Sequence, residues 1–400
     1  MENEKEEFLR PLILDIGSAN FRLGFAGDDL PDIIVPSIYT DITDPIYKSD
    51  NISGLKDIVI SKNTEKHLYG SEALKYKDIL NNHQFVIEKN YNVLKKFFLY
   101  YYHQLGIEQN FFFQQPLIVL FPFTSSENDK KKMQQIFLDE LNFPQINFLT
   151  FSDCVLSAIG KNTGVVINLG EQNSFVSTYL HGFSNFSARD FFPIAGKDLT
   201  EYFMDLILFN KKYKINYIDK WIAREIKDRS SICVFNPKET KKKIEEGLSS
   251  FDQEIQLPDG CIFTINYERI MIPEPLFNPN RIHLDIIELP KMIADLVKTW
   301  NRNDWLELLQ NIILCGGTSL IKDLGKRLKV EVGKFFSEKI RDEIKVITPT
   351  GRDDMGWIGA SILYSRGLIT KGWIENPNFQ NKNQNGEVIS QPPSNEVDED

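Results

Sequence analysis

The stretch LILDIGSANFRLGFAG, Leu12–Gly27, decides how the chain is read. An apolar run closes on Asp15, one residue follows, and Gly17 and Ser18 open a polar turn before a second apolar run returns through Arg22. The pattern predicts two strands joined by a tight turn, with a third strand over Asp32–Ile38. The same grammar recurs in VVINLGEQNSFVSTYLHG, residues 165–182, where the run closes on Asn168, then Leu169, Gly170 and the polar pair Glu171–Gln172. IIVPSIY follows the first copy and FFPIAG the second. Two copies imply a duplicated lobe, each copy offering a hairpin to a shared cleft.

The residue types in these turns suit phosphate. Gly17 and Gly170 let the backbone approach a ligand closely, and successive N–H groups in such a turn form an anion-binding nest. Ser18 adds a hydroxyl donor. Asp15, at a strand end, is placed to hold the water of a divalent cation, since hard cations take oxygen ligands. A third glycine turn, CGGTS, starts at Cys315.

The remaining composition sets bounds. Four hundred residues exceed one ordinary core and point to two domains. Hydrophobic residues at 42% and charged residues at 26% fit a globular chain, and nothing reaches the roughly 18 apolar residues of a membrane span. The charged start MENEKEEFLR does not read as a signal peptide. Cys154, Cys233, Cys261 and Cys315 have no metal-type spacing and read as buried free thiols in a reducing compartment. A net charge of −10 argues against nucleic-acid binding, and the runs Lys130–Lys132 and Lys241–Lys243 read as solvated helix faces.

Helices are expected over Tyr91–Leu105, Asn128–Leu141, Leu199–Phe209, Trp221–Arg229, Ile287–Trp300 and Ile321–Phe335, and from WIGASIL onward, with a buried strand in QPLIVLFPF and a hairpin around LPDG. The aromatic run FFLYYY reads as core. The tail Gln380–Asp400 lacks aromatics, ends acidic and is expected to be disordered.

Taken in order, DIGSANFRLGFAGDD, IIVPSI, YGSEA, AGKDLTEYFMDLI, REIKDRSSICVF, LPDG…FTINYERIMIPEPLFNP, NIILCGGTSLIKDLGKRL and WIGASILYS resemble the actin superfamily, and specifically actin-related proteins, from Leu12 to Trp373. The resemblance implies an α/β fold of the actin, Hsp70 and sugar-kinase type: two duplicated lobes around a nucleotide cleft. The first lobe would take residues 1–159 and 355–379, with 37–85 its small subdomain. The second would take 160–354, with 195–285 its small subdomain. ATP or ADP would bind with Mg²⁺ or Ca²⁺. By motif, the first phosphate hairpin is Asp15, Gly17, Ser18 and Ala19, with Arg22 where the family usually has lysine, and Asp15 facing the metal through water. The second is Asn168, Gly170 and Glu171, with Leu169 and Gln172. Gly316, Gly317 and Thr318 form the adenosine loop, and Gly196, Lys227 and Asp228 match positions that touch ribose and base.

Three departures bear on hydrolysis. The second hairpin usually begins with Asp and has a second Gly, where this chain has Asn168 and Gln172. Ser152 stands where a Gln usually orients the attacking water. Asp353 replaces a usual lysine near the adenine. Hydrolysis rests on positioning water and metal, so no catalytic residue is assigned and weak or no ATPase activity is expected.

The region Tyr39–Lys66, in the small subdomain used for filament contacts, is rewritten, whereas WIGASIL on the opposite edge is kept. A subunit that keeps one polymer face can end a filament without extending it. The chain is most similar to the actin-related protein class of the dynactin pointed-end complex, and GWIENPNF loosely resembles the C-terminal end of that class. The resemblance implies a cytoplasmic, cytoskeletal or centrosomal subunit supporting dynein-based microtubule transport. Its partners would be a filament-forming actin-related protein and other pointed-end subunits, without homopolymer or membrane insertion. The alternatives are a nuclear chromatin-remodelling subunit and an ATP-hydrolysing filament former.

Overall fold

The computed structural model describes residues 10–45, 66–77, 79–85, 89–108, 113–121, 126–184, 186–210, 218–248, 250–257 and 260–379. Most of the rewritten Tyr39–Lys66 stretch, the middle of the LPDG turn and the acidic tail lie outside them. The chain divides into two compact units, Met1–Phe151 with Ala360–Asp400, and Ser152–Gly359.

In the first unit, β1 (Leu12–Ile16) and β2 (Asn20–Phe25) form the expected antiparallel hairpin, with Asp15 opposite Arg22 and Ile16 opposite Phe21. β3 (Ile33–Pro36) pairs antiparallel with β2. A small sheet sets β4 (Tyr39–Pro45) between β5 (His67–Tyr69) and β6 (Leu80–His83). β7 (Leu117–Phe121) runs parallel to β1, and β8 (Gln145–Thr150) parallel to β7. β7 is buried at all five positions, which is why LIVLF shows no alternation.

The helix Tyr91–Tyr102 lies in the core of this unit through Val93, Leu94, Phe97, Phe98, Tyr101 and Tyr102, so the aromatic run packs inward. Rings of Phe21 and Phe85 stand 5.1 and 4.7 Å from that of Phe97. The helix expected over Asn128–Leu141 has two parts. Ser126 and Asp129 form a capping box for the α-helix Glu127–Gln134, and Gln135–Glu140 continues as a π-helix, with Leu141 N–H donating to Ile136 O at 2.9 Å. The wider turn lets three consecutive residues, Ile136, Phe137 and Leu138, reach the core, which 3.6-residue periodicity does not anticipate.

The second unit repeats the plan. β9 (Gly164–Leu169) and β10 (Ser174–Tyr179) are antiparallel, β11 (Arg189–Phe192) pairs antiparallel with β10, and the hairpin β12 (Gln253–Gln256) and β13 (Ile262–Ile265) stands apart. β14 (Ile312–Cys315) runs parallel to β9, and β15 (Val346–Ile347) parallel to β14. The order β11-β10-β9-β14-β15 therefore matches β3-β2-β1-β7-β8 strand for strand in direction and connection. The echo read in the hairpins extends through five strands of each unit. The helices Gly196–Leu208, Lys220–Ser230, Leu289–Lys298 and Leu324–Gly333 contribute to the core of this unit.

The chain passes between units at Phe151/Ser152 and Gly359/Ala360, whereas the sequence reading put these points at 159/160 and 354/355. The helix Phe151–Ala158 goes with the second unit because Ser152 bonds to Ser177 on β10 and the Cys154 backbone packs directly on Gly359. Cys154, Cys233 and Cys315 are buried as expected, but Cys261 is exposed, since it follows the hairpin turn rather than lying within a strand. Both lysine runs lie on helix faces and pair with acids of the same helix, Lys130 with Glu127 at 2.9 Å and Lys243 with Glu239 at 2.6 Å among them.

The sequence pattern gave no warning of a last strand, β16 (Trp373–Glu375), antiparallel to β8. The buried Asn376 fixes it in place: its side-chain amide donates to the carbonyls of Leu138 at 2.8 Å and Phe143 at 3.1 Å.

Candidate functional site

The expected site residues fall into two groups, one in each unit. In the first unit, Gly17 closes the β1–β2 turn. A Cβ there would stand 2.6 Å from Asn20 O, so only glycine fits. Ser37 Oγ donates to Gly17 O at 2.6 Å, Ser37 N–H to Ala19 O at 3.0 Å and Gln84 Nε2 to Ser18 O at 3.4 Å. β3 and the segment after β6 thus hold Gly17, Ser18 and Ala19 from behind. Asp15 and Arg22 sit opposite each other across the hairpin, both buried, with Nη1 donating to Oδ2 at 3.1 Å. The guanidinium lies against the turn, 3.5 Å from where a Gly17 Cβ would be.

The second unit closes its hairpin the same way, with a Gly170 Cβ position 2.5 Å from Asn173 O. The Gly170 carbonyl accepts from Gly196 N–H at 2.9 Å and Thr318 Oγ1 at 2.9 Å, and the Glu171 carbonyl from Lys197 N–H at 2.8 Å. One turn therefore gathers residues from two distant stretches of sequence. Gly196 packs so closely on Glu171 and Thr318 that a side chain there has no room. Gly196 opens the helix Gly196–Leu208, where Ala195 N–H donates to Asp198 Oδ2 at 2.8 Å. Burial raises the Asp198 carboxyl above its ordinary value despite that bond.

Lys227 is almost fully buried on the helix Lys220–Ser230. Its ammonium donates to Gly196 O at 3.0 Å and stands 3.6 Å from Glu171 Oε2 and 3.2 Å from Asp228 Oδ1. Arg224, one turn earlier on the same face, lies 3.8 Å from Glu171 and 3.7 Å from Asp228. Gly316 needs its left-handed φ of 87°, and a Cβ would stand 2.5 Å from Leu169 O. A Gly317 Cβ would meet nothing. Cys315 donates to Ile167 O at 3.3 Å, and burial pushes its thiol well above the ordinary range, so it stays a neutral donor.

The structure thus joins Asn168, Gly170, Glu171, Gly196, Lys227, Asp228, Gly316 and Thr318 within one unit, and Asp15, Gly17, Ser18, Ala19 and Arg22 within the other. Three participants were not singled out by sequence. Arg224 was readable from its helical spacing to Lys227 and Asp228. Arg352, next to Asp353, fixes the glycine turn: its carbonyl accepts from Gly316 N–H at 3.0 Å and its guanidinium donates to Ser319 O at 3.0 Å. Ser177 carries no sequence signal. It is fully buried and lies 2.8 Å, Oγ to Oγ, from the equally buried Ser152.

A family model described as actin matches residues 7–390. A protein of Neurospora crassa described as an actin-like protein is 28% identical over 380 residues, covering 92% of this chain and 96% of that relative.

Proposed function

Because the chain belongs to the actin family, we propose that it is an actin-related structural subunit that holds ATP or ADP as a structural ligand and ends an actin-like filament at the pointed end of a dynactin-type complex. Turnover is weak or absent. The observation that carries the non-catalytic half is Ser152, whose hydroxyl is fully buried and hydrogen-bonded to Ser177, and so is not presented to an attacking water. Asn168 adds to this, because it brings no negative charge to the second hairpin. Nucleotide binding is supported by Lys227, a buried ammonium held on the Gly196 carbonyl beside the Gly170 turn. A nucleotide bound to the folded state stabilises it by mass action without being consumed.

The filament-ending half rests on the rewritten Tyr39–Lys66 stretch and on resemblance to the pointed-end class. Cytoplasmic and cytoskeletal placement belongs to the same proposal, as do a filament-forming actin-related protein and pointed-end subunits as partners. Affinity purification of the full chain tests this half: dynactin subunits are the expected partners, and recovery of remodelling ATPases instead overturns it. Phosphate release from ATP tests the other half, and turnover at the rate of actin overturns it.

A further inference from the structure

The family resemblance brings a divalent cation with the nucleotide, and the donor set in this chain does not fit one. In the first unit the hairpin acid is Asp15, and its carboxylate is already in contact with the buried guanidinium of Arg22 at 3.1 Å. In the second unit the equivalent strand end carries Asn168, a neutral amide whose oxygen lies beside Cys315 and Gly316. The acid of that turn, Glu171, is nearly buried between Lys227 and Arg224, and the neighbouring Asp228 is matched to the same two cations. In that group Glu171 and Asp228 face Lys227 and Arg224, and in the other Asp15 faces Arg22. Among the described residues, no three His, Cys, Asp or Glu side chains converge on a point.

We propose that this chain binds nucleotide phosphate without a divalent cation, because the acids of each hairpin are already matched by cations of their own unit. The inference rests on the nucleotide reading above. A hard dication is attracted by carboxylates that are not already neutralised, and here each acid of the two hairpins has a fixed cation of the chain beside it. Each unit by itself sets a cation near its turn, Arg22 against Gly17 in one and Lys227 on the Gly196 carbonyl in the other. Arginine forms charge-assisted bonds to phosphate oxygens directly.

The test is equilibrium binding of a fluorescent ATP analogue to the full chain in magnesium and in EDTA, with the nucleotide-induced rise in melting temperature as a second readout. The expected result is an affinity changing less than about 3-fold between the two buffers. N168D supplies an added carboxylate at a partly buried position without disturbing the Arg22 pair. It is expected to make binding depend on magnesium by about 10-fold or more. Wild-type binding that falls about 100-fold in EDTA overturns the inference, as does a wild-type magnesium response as large as that of N168D. Absence of binding in both buffers is a different outcome, and overturns the nucleotide reading itself.

Discussion

Gly359→Ala sets two principles against each other. Gly359 lies inside the helix Met355–Ser365, where replacing glycine by alanine gains about 1 kcal/mol of helix propensity. Here the substitution meets backbone. A Cβ at 359 would stand 2.9 Å from Cys154 Cα and closer still to the Cys154 carbonyl group. Backbone cannot rotate away as a side chain can, so the two helices must separate by about 1–1.5 Å within a close-packed interior. Overpacking of this kind costs about 1–3 kcal/mol, with the upper end expected where no rotamer relieves it. The net loss is about 2 kcal/mol. For a unit of about 200 residues this lowers the melting temperature by roughly 4–8 °C.

Gly333→Ala is the matched control. It too is helical, but the atoms nearest its Cβ would belong to the side chain of Arg341, 2.6 Å at Cγ, and that side chain is half exposed and able to shift. Its expected effect is between neutral and about 1 kcal/mol of stabilisation. Thermal and urea unfolding of both variants decides the matter. A Gly359→Ala protein as stable as wild type, or less affected than Gly333→Ala, refutes the close crossing at Cys154.

Burial alone would raise the Asp129 carboxyl, but hydrogen bonds from Tyr91, Ser126 and Lys89 outweigh it and draw it down to about 2. Its stabilisation, about 2 kcal/mol, is therefore complete above the ordinary carboxylate value of 3.8 and is lost as pH falls through about 2. The stability gap between wild type and Asp129→Asn should narrow across that window, and a gap independent of pH contradicts the assignment. Asn376→Ala leaves the Leu138 and Phe143 carbonyls without their buried donor. It should cost about 2 kcal/mol locally, read as faster hydrogen exchange along β16 and β8, and unchanged exchange would count against the strand's anchoring by Asn376.

What the sequence made legible depends on how local the cause is. Both hairpins were readable because alternation, a strand-end polar residue and a turn glycine are consecutive. Gly196, Lys227 and Thr318 lie far apart in the chain, so only resemblance to a family could group them: Gly196 and Thr318 meet at the Gly170 carbonyl, and Lys227 joins them through the Gly196 carbonyl. The π-helix escaped because no signature residue marks it, and it shows only in the burial of three consecutive residues, Ile136, Phe137 and Leu138. β16 escaped because three residues of mixed polarity become a strand only through a neighbour, β8, and through Asn376. The Ser152–Ser177 bond joins residues that look alike in any reading of polarity, and only burial sets them apart.

The two hairpins also separate what the fold requires from what the chemistry requires. Gly17 and Gly170 face the same steric limit, 2.6 Å to Asn20 O in one and 2.5 Å to Asn173 O in the other. Either turn needs its glycine simply to close, whether or not phosphate ever comes near. The strand-end acid has no such duty: Asp15 and Asn168 occupy equivalent places in equivalent hairpins, and both hairpins form. A glycine in this motif therefore reports the fold, and the residue two places before it reports the chemistry. The same standard makes Lys227 the more telling residue. A buried ammonium–carboxylate pair contributes little net stability over a well-packed apolar pair, so the place of Lys227 near the Gly170 turn is better explained by the charge it presents than by the structure it holds. Replacing both partners, Lys227→Met with Glu171→Leu, should leave unfolding within about 1 kcal/mol of wild type while weakening nucleotide binding by about 10-fold or more. Equal losses in both would return Lys227 to a structural role.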